Sequence, residues 1–120
     1  MKKAALFLLS LAFLNCTDKQ MSHTETAKVV VESFYKKDNS KLKSHTTPES
    51  YESFLAVQDF MTAEEAGASN YKVLEETVDG DKAWVKFTIS YEEKPETFKL
   101  VKDDGQWKVD EKGVRERAPF

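Results

Sequence analysis

The hydrophobic period of this chain changes once, near Gly67, and that change constrains the architecture more than any other feature. Before it, Ala27, Val30, Val31 and Phe34 fall at i, i+3, i+4 and i+7, with Lys28, Glu32, Lys36 and Lys37 on the opposite side. After it, Ala83, Val85, Phe87, Ile89 and Tyr91 alternate with Trp84, Lys86, Thr88 and Ser90. One set of a strand's alternating side chains faces a core and the other faces away. Helices first and an antiparallel meander afterwards predict an α+β fold, with the helices packed on one face of a curved sheet of about four strands.

Local signals place the elements. Ser22-His23-Thr24-Glu25 has the spacing of a capping box and predicts a helix from about Thr24 to Lys37. Asp38-Asn39-Ser40 ends that helix and caps a short turn, Lys41 to Ser44. Thr47 suits an N-cap and Pro48 a first helical position, so a further helix follows with Tyr51, Phe54, Leu55 and Gln58 on one face and Phe60 and Met61 near its end. Thr62-Ala63-Glu64-Glu65 repeats the capping spacing and adds a turn. Strands are predicted at Tyr71–Val78, Lys82–Tyr91, Thr97–Lys102 and Gln106–Val109, separated by turns at Asp79-Gly80-Asp81 and Asp103-Asp104-Gly105 and by the loop Glu92–Glu96. Gly113–Phe120 reads as a short tail, docked in part through Val114 and Phe120.

The amino-terminal stretch has a different character. Lys2 and Lys3 precede an apolar run, Ala4 to Leu14, broken only by Ser10. A spanning helix needs about 20 apolar residues, whereas a secretory signal needs about 7–15. Phe13-Leu14-Asn15-Cys16 follows, and Cys16 is the single cysteine of the chain. This stretch resembles the signal of bacterial lipoproteins, although Phe13 and Asn15 stand where the usual lipobox has Leu and a small residue. The resemblance implies that residues 1–15 are removed and that Cys16 is acylated (palmitate) on its sulfur. The protein would then be anchored to the lipid bilayer of a bacterial cell envelope, in a leaflet the sequence does not specify. Read from residues alone, Cys16 has three other readings: a buried apolar cysteine in an uncleaved helix, part of an ordinary cleaved signal, or a free or intermolecular thiol. The expected organisation is signal 1–15, lipidated cysteine and tether 16–23, one domain 24–110, and tail 111–120.

Without residues 1–15, 105 of the 120 residues remain, enough for one domain with a modest core. With one cysteine, no internal disulfide can form. Loss of Lys2 and Lys3 leaves 16 basic against 21 acidic residues, a formal charge of −5. Nucleic-acid affinity rests on neutralising phosphates, so such a chain has no electrostatic case for that partner.

Three segments carry a further resemblance: AKVVVESFYKKD (27–38), VDGDKAWVKFTISYEE (78–93) and TFKLVKDDGQWKVD (97–110). With the signal they resemble small bacterial lipoproteins carrying a nuclear-transport-factor-2-like (cystatin-like, lumazine-binding-like) domain. The resemblance implies a long helix cradled in a strongly bent sheet, forming a cone. It implies no activity, since this fold hosts enzymes, carriers and interaction domains.

Candidate chemistry is sparse. His23 and His45 lie 22 positions apart without a Cys, His or Asp at ligand spacing, so no metal site is expected, and no cofactor either. Neither Gly-x-Ser-x-Gly nor a Cys–His arrangement occurs. Glu75, Glu76 and Asp59 are the carboxylates with a chance of facing the cone, and a solvated position is the expectation for each. Tyr35, Tyr51, Phe54, Phe87, Tyr91 and Trp107 either line a pocket at the mouth of the cone or simply fill a small core. On the other sheet face, Trp84, with Leu74 or Val78 and Val101, could form an apolar partner patch beside Lys86, Lys99 and Lys108. Pairing of Trp84 with Val101, or cover by the tail, would account for it equally. The expected function is therefore a non-enzymatic, envelope-anchored module that binds a protein partner, a second copy or a small ligand. The alternative is a carrier or enzyme using the interior of the cone.

Overall fold

Ser22 opens the first helix as its capping box requires. Its hydroxyl accepts the Glu25 N–H at 3.1 Å, and the Glu25 carboxylate accepts the Ser22 N–H at 3.0 Å. The computed structural model, which describes residues 20–61, 67–111 and 118–120, shows three helices: α1 (His23–Lys36), α2 (Asn39–Ser44) and α3 (Pro48–Met61). Four strands follow: β1 (Lys72–Asp79), β2 (Lys82–Thr88), β3 (Glu96–Asp103) and β4 (Gln106–Val109). The signal segment, Cys16, the turn at Thr62–Glu65 and residues 112–117 of the tail lie outside the described residues.

The strands pair antiparallel in chain order, β1-β2-β3-β4. The β3–β4 hairpin has Asp104 at φ 59° and Gly105 at φ 77°, the two positive values that a type I′ turn needs. The edge of β4 is occupied by the α2–α3 link. Val109 N–H donates to the His45 carbonyl at 2.9 Å, and Thr47 N–H donates to the Val109 carbonyl at 3.0 Å. That placement also serves α3, because the Thr47 hydroxyl accepts the Ser50 N–H at 3.4 Å and lies 3.2 Å from an Asp110 carboxylate oxygen. A negative group near a helix N-terminus is electrostatically favourable.

The core is the contact between α1 and the inner sheet face. Ala27, Val30, Val31, Phe34 and Tyr35 meet Ala83, Val85, Phe87, Phe98, Leu100 and Val109, with Leu42 of α2 closing one side. Complete burial of a side chain such as Phe87, Leu42 or Leu100 contributes about 1.5–3 kcal/mol. Gln58 is buried at 5% exposure and pins α3 to α1, its Nε2 donating to the Phe34 carbonyl and to Asn39 Oδ1, each at 2.9 Å.

Two expectations change. The second strand ends at Thr88 rather than Tyr91, because Ser90 N–H turns to the Ser69 carbonyl at 2.7 Å, off the line of β3. In β1, a register shift between Val73 and Glu75 moves the alternation by one. Val73 and Glu76 therefore lie opposite Phe87 and Val85, in phase with the inner face, while Thr77 lies opposite Trp84.

Candidate functional site

A cavity of about 150 Å³ opens where α1, α3 and β3 meet. Helical spacing supplies two of its walls: Val31, Phe34 and Tyr35 from α1, and Phe54, Val57 and Met61 from α3. The third wall is Phe98 together with Glu96 of β3, Glu92 of the preceding loop and Glu111 after β4. A dry cavity of this size accommodates a group about as large as benzene. Val57 and Met61, 40% and 45% exposed, mark the mouth.

Ring contacts tie the cavity to the core. Tyr91 lies 4.7 Å from Tyr35, Tyr35 5.0 Å from Phe34, Phe34 5.5 Å from Phe54, and Phe54 5.9 Å from Phe98. The tilted and edge-on geometries are those that the ring quadrupole favours, so the walls hold their shape. At the polar side the Tyr35 hydroxyl donates to Glu92. Glu111 accepts the Lys99 N–H at 3.2 Å. Burial, chiefly, lifts the Tyr35 phenol well above its ordinary 10.0, with the Glu92 hydrogen bond and the charges of Glu92 and Glu96 adding to it. The described lining includes three carboxylates and no lysine, arginine or histidine.

Of the residues singled out as pocket lining, Tyr35 and Phe54 line this cavity. Phe87 is sealed in the core. Tyr91 stacks on the outside of Tyr35 and donates its hydroxyl to the Gly67 carbonyl at 2.6 Å. Trp107 sits elsewhere, beside His23 with centroids 5.8 Å apart and with Lys102 Nζ 5.1 Å from its ring. Tyr51 is half-buried against the core, with Lys43 Nζ 5.9 Å from its ring.

The proposed outer patch is not an exposed aromatic surface. Trp84 is 7% exposed, opposite Thr77 and Lys99, and its indole N–H has no hydrogen-bond partner among the described residues. Val101, Lys86 and Lys99 around it are half-buried. Val78 lies opposite Ala83, so the bulge places it in the phase opposite to Trp84. Leu74 falls at the bulge itself.

The carboxylates considered from sequence lie away from the cavity. Glu75 is exposed, Asp59 is exposed and 3.4 Å from Lys37 Nζ, and Glu76 pairs with His23. The ones at the cavity were overlooked because Glu92–Glu96 read as loop and Glu111 as tail. A signal existed. Continuing the alternation Leu100–Phe98 backwards reaches Glu96, and continuing Trp107–Val109 forwards reaches Glu111. The register places Glu96 opposite Phe87, on the inner face. Among the described residues no group of three or more His, Cys, Asp or Glu side chains could hold a metal ion.

No protein-family model matches the chain, and no curated protein is similar to it. A solved structure from Campylobacter jejuni, described as that of a candidate NTF2-like transpeptidase, superposes with a TM-score of 0.50 at 18% identity, over 72% of this chain and 94% of that one. Similarity at that identity concerns the fold. Three helices packed on an unclosed, four-stranded antiparallel sheet are an NTF2-like arrangement, and that is the fold of this protein.

Proposed function

We propose that this domain is a binding module that holds the apolar part of a small ligand between α1, α3 and β3, on a protein tethered to a bacterial envelope by acylated Cys16. The cavity carries the reading: it is apolar on two walls, polar on one, and open at Val57 and Met61. Sites for small ligands commonly combine an apolar enclosure with a few oriented polar groups. An NTF2-like fold is compatible with binding and with catalysis alike. Binding is favoured because the described lining consists of apolar side chains, carboxylates and one phenol, a set that holds and orients a ligand; a nucleophile of the kind that transpeptidation uses is not among it.

The test is to fill the mouth. Val57→Trp should leave the far-ultraviolet dichroism and cooperative melting intact while abolishing the rise in Tm that short alkyl or aryl ligands produce in the unsubstituted protein. Undiminished ligand stabilisation in the variant would place binding elsewhere.

A further inference from the structure

Resting on the envelope tether in that reading, we infer that the C-terminal end of α3 is a second membrane contact, pressed into a phospholipid surface beside the cavity mouth. Val57, Phe60 and Met61 fall at i, i+3 and i+4 and so share one face of the helix. Phe60 is 86% exposed and does not line the cavity. Apolar residues exposed singly are ordinary, whereas three together on one helical turn form a patch that marks a contact surface. The patch adjoins a basic corner: Gln58 holds this part of α3 to the end of α1 and the start of α2, where Lys36, Lys37 and Lys41 are exposed. The acidic groups of that corner are Asp59, 3.4 Å from Lys37 Nζ, and Asp38, which caps α2 by accepting the Lys41 N–H at 3.3 Å. The carboxylates of the cavity belong to its β3 wall. An apolar tip flanked by lysines suits the boundary between acyl chains and phosphate headgroups. The short tether favours lipid over other apolar partners. Thr17 to Met21 extends at most about 18 Å, and the 14 residues of α1 rise about 21 Å, so a domain anchored through Cys16 keeps this tip within reach of its own bilayer. Tethering makes even a weak contact effectively intramolecular. A second copy, by contrast, would bring the same lysines towards each other across a two-fold contact.

The experiment measures co-sedimentation of the mature chain carrying Cys16→Ala, which removes the acyl anchor, with vesicles of phosphatidylcholine alone or mixed with phosphatidylglycerol. Binding to both is expected, tighter on the mixed vesicles, with only that extra affinity lost at high salt. Phe60→Ser should reduce partitioning about tenfold on either vesicle without lowering Tm, because the side chain is exposed in the fold. Lys36→Gln with Lys41→Gln should remove the preference for the mixed vesicles and leave binding to phosphatidylcholine unchanged. The Phe60→Ser chain should also keep the rise in Tm that short alkyl ligands produce. Equal sedimentation of the parent and Phe60→Ser, or none of either, overturns the membrane contact; ligand stabilisation that persists then leaves the pocket reading standing. Vesicle binding that needs Phe60, in a chain that short alkyl ligands do not stabilise, defeats the pocket reading and supports this contact. If Phe60→Ser instead turns a dimer into a monomer in sedimentation equilibrium, with vesicle binding unchanged, the face joins two copies and the inference is overturned.

Discussion

Tyr35 does two jobs with one side chain. Its ring joins the wall of the cavity, and its hydroxyl holds Glu92. Because its phenol titrates above the ordinary 10.0 in the fold, the neutral form is favoured there. This contribution to stability is complete below pH 10 and is lost as the pH rises towards and through the raised folded value. Tyr71 behaves in the same sense, its phenol raised by burial and then by the charge of Glu76, while its hydroxyl donates to the Thr24 carbonyl at 2.8 Å. Tyr35→Phe should cost about 1 kcal/mol at neutral pH through the lost hydrogen bond. It should also flatten, without abolishing, the decline in stability above pH 10, since Tyr71 remains. Urea melts at pH 8, 10 and 11 measure both; an unchanged alkaline slope would contradict the account.

The β4 side of the sheet is held by two means. At β4 the link 45–47 supplies the missing neighbour, and at the β3–β4 turn the backbone is left-handed at two consecutive residues. A Cβ added at Gly105 meets nothing within 4 Å, so only its φ of +77° opposes substitution. Gly105→Ala should therefore lower stability by about 1 kcal/mol in chemical denaturation, with no change in fold. Trp84 marks the middle of the sheet, where β2 is buried on both faces at Ala83, Trp84 and Val85. Truncation there leaves a void, and Trp84→Ala should cost about 3–5 kcal/mol. A variant that melted like the parent but lost association with a partner would restore the patch reading of that face.

For the whole molecule the governing proposal is a compact domain on a short leash. Five residues, Thr17 to Met21, extend at most about 18 Å. Two acyl chains, each buried methylene contributing about 0.8 kcal/mol, suffice for a durable anchor where one does not. Cys16→Ala should shift the protein from the detergent phase to the aqueous phase on phase partitioning; retention in the detergent phase would count against acylation of Cys16. Within the described residues no helix is long and apolar enough to cross a membrane.

Elements governed by near neighbours in the chain were legible from the residues. The capping box at Ser22, Pro48 at the head of α3, the alternation of β2 and the Asp104-Gly105 turn depend on spacings of two to four residues, and they predict the order of helices and strands that is seen. Tyr35 and Phe54 were legible as lining for the same reason, since each lies on the apolar face of its helix. The cavity itself was not. It depends on Gln58 reaching the end of α1, on the register that sets Glu96 opposite Phe87, and on Glu111 arriving beside Lys99. Those contacts join residues 9 to 24 positions apart along paths that no local period encodes. The bulge in β1 and the burial of Trp84 have the same origin. Periodicity assigns a residue to a face, whereas packing across elements decides whether that face is wet, sealed or hollow.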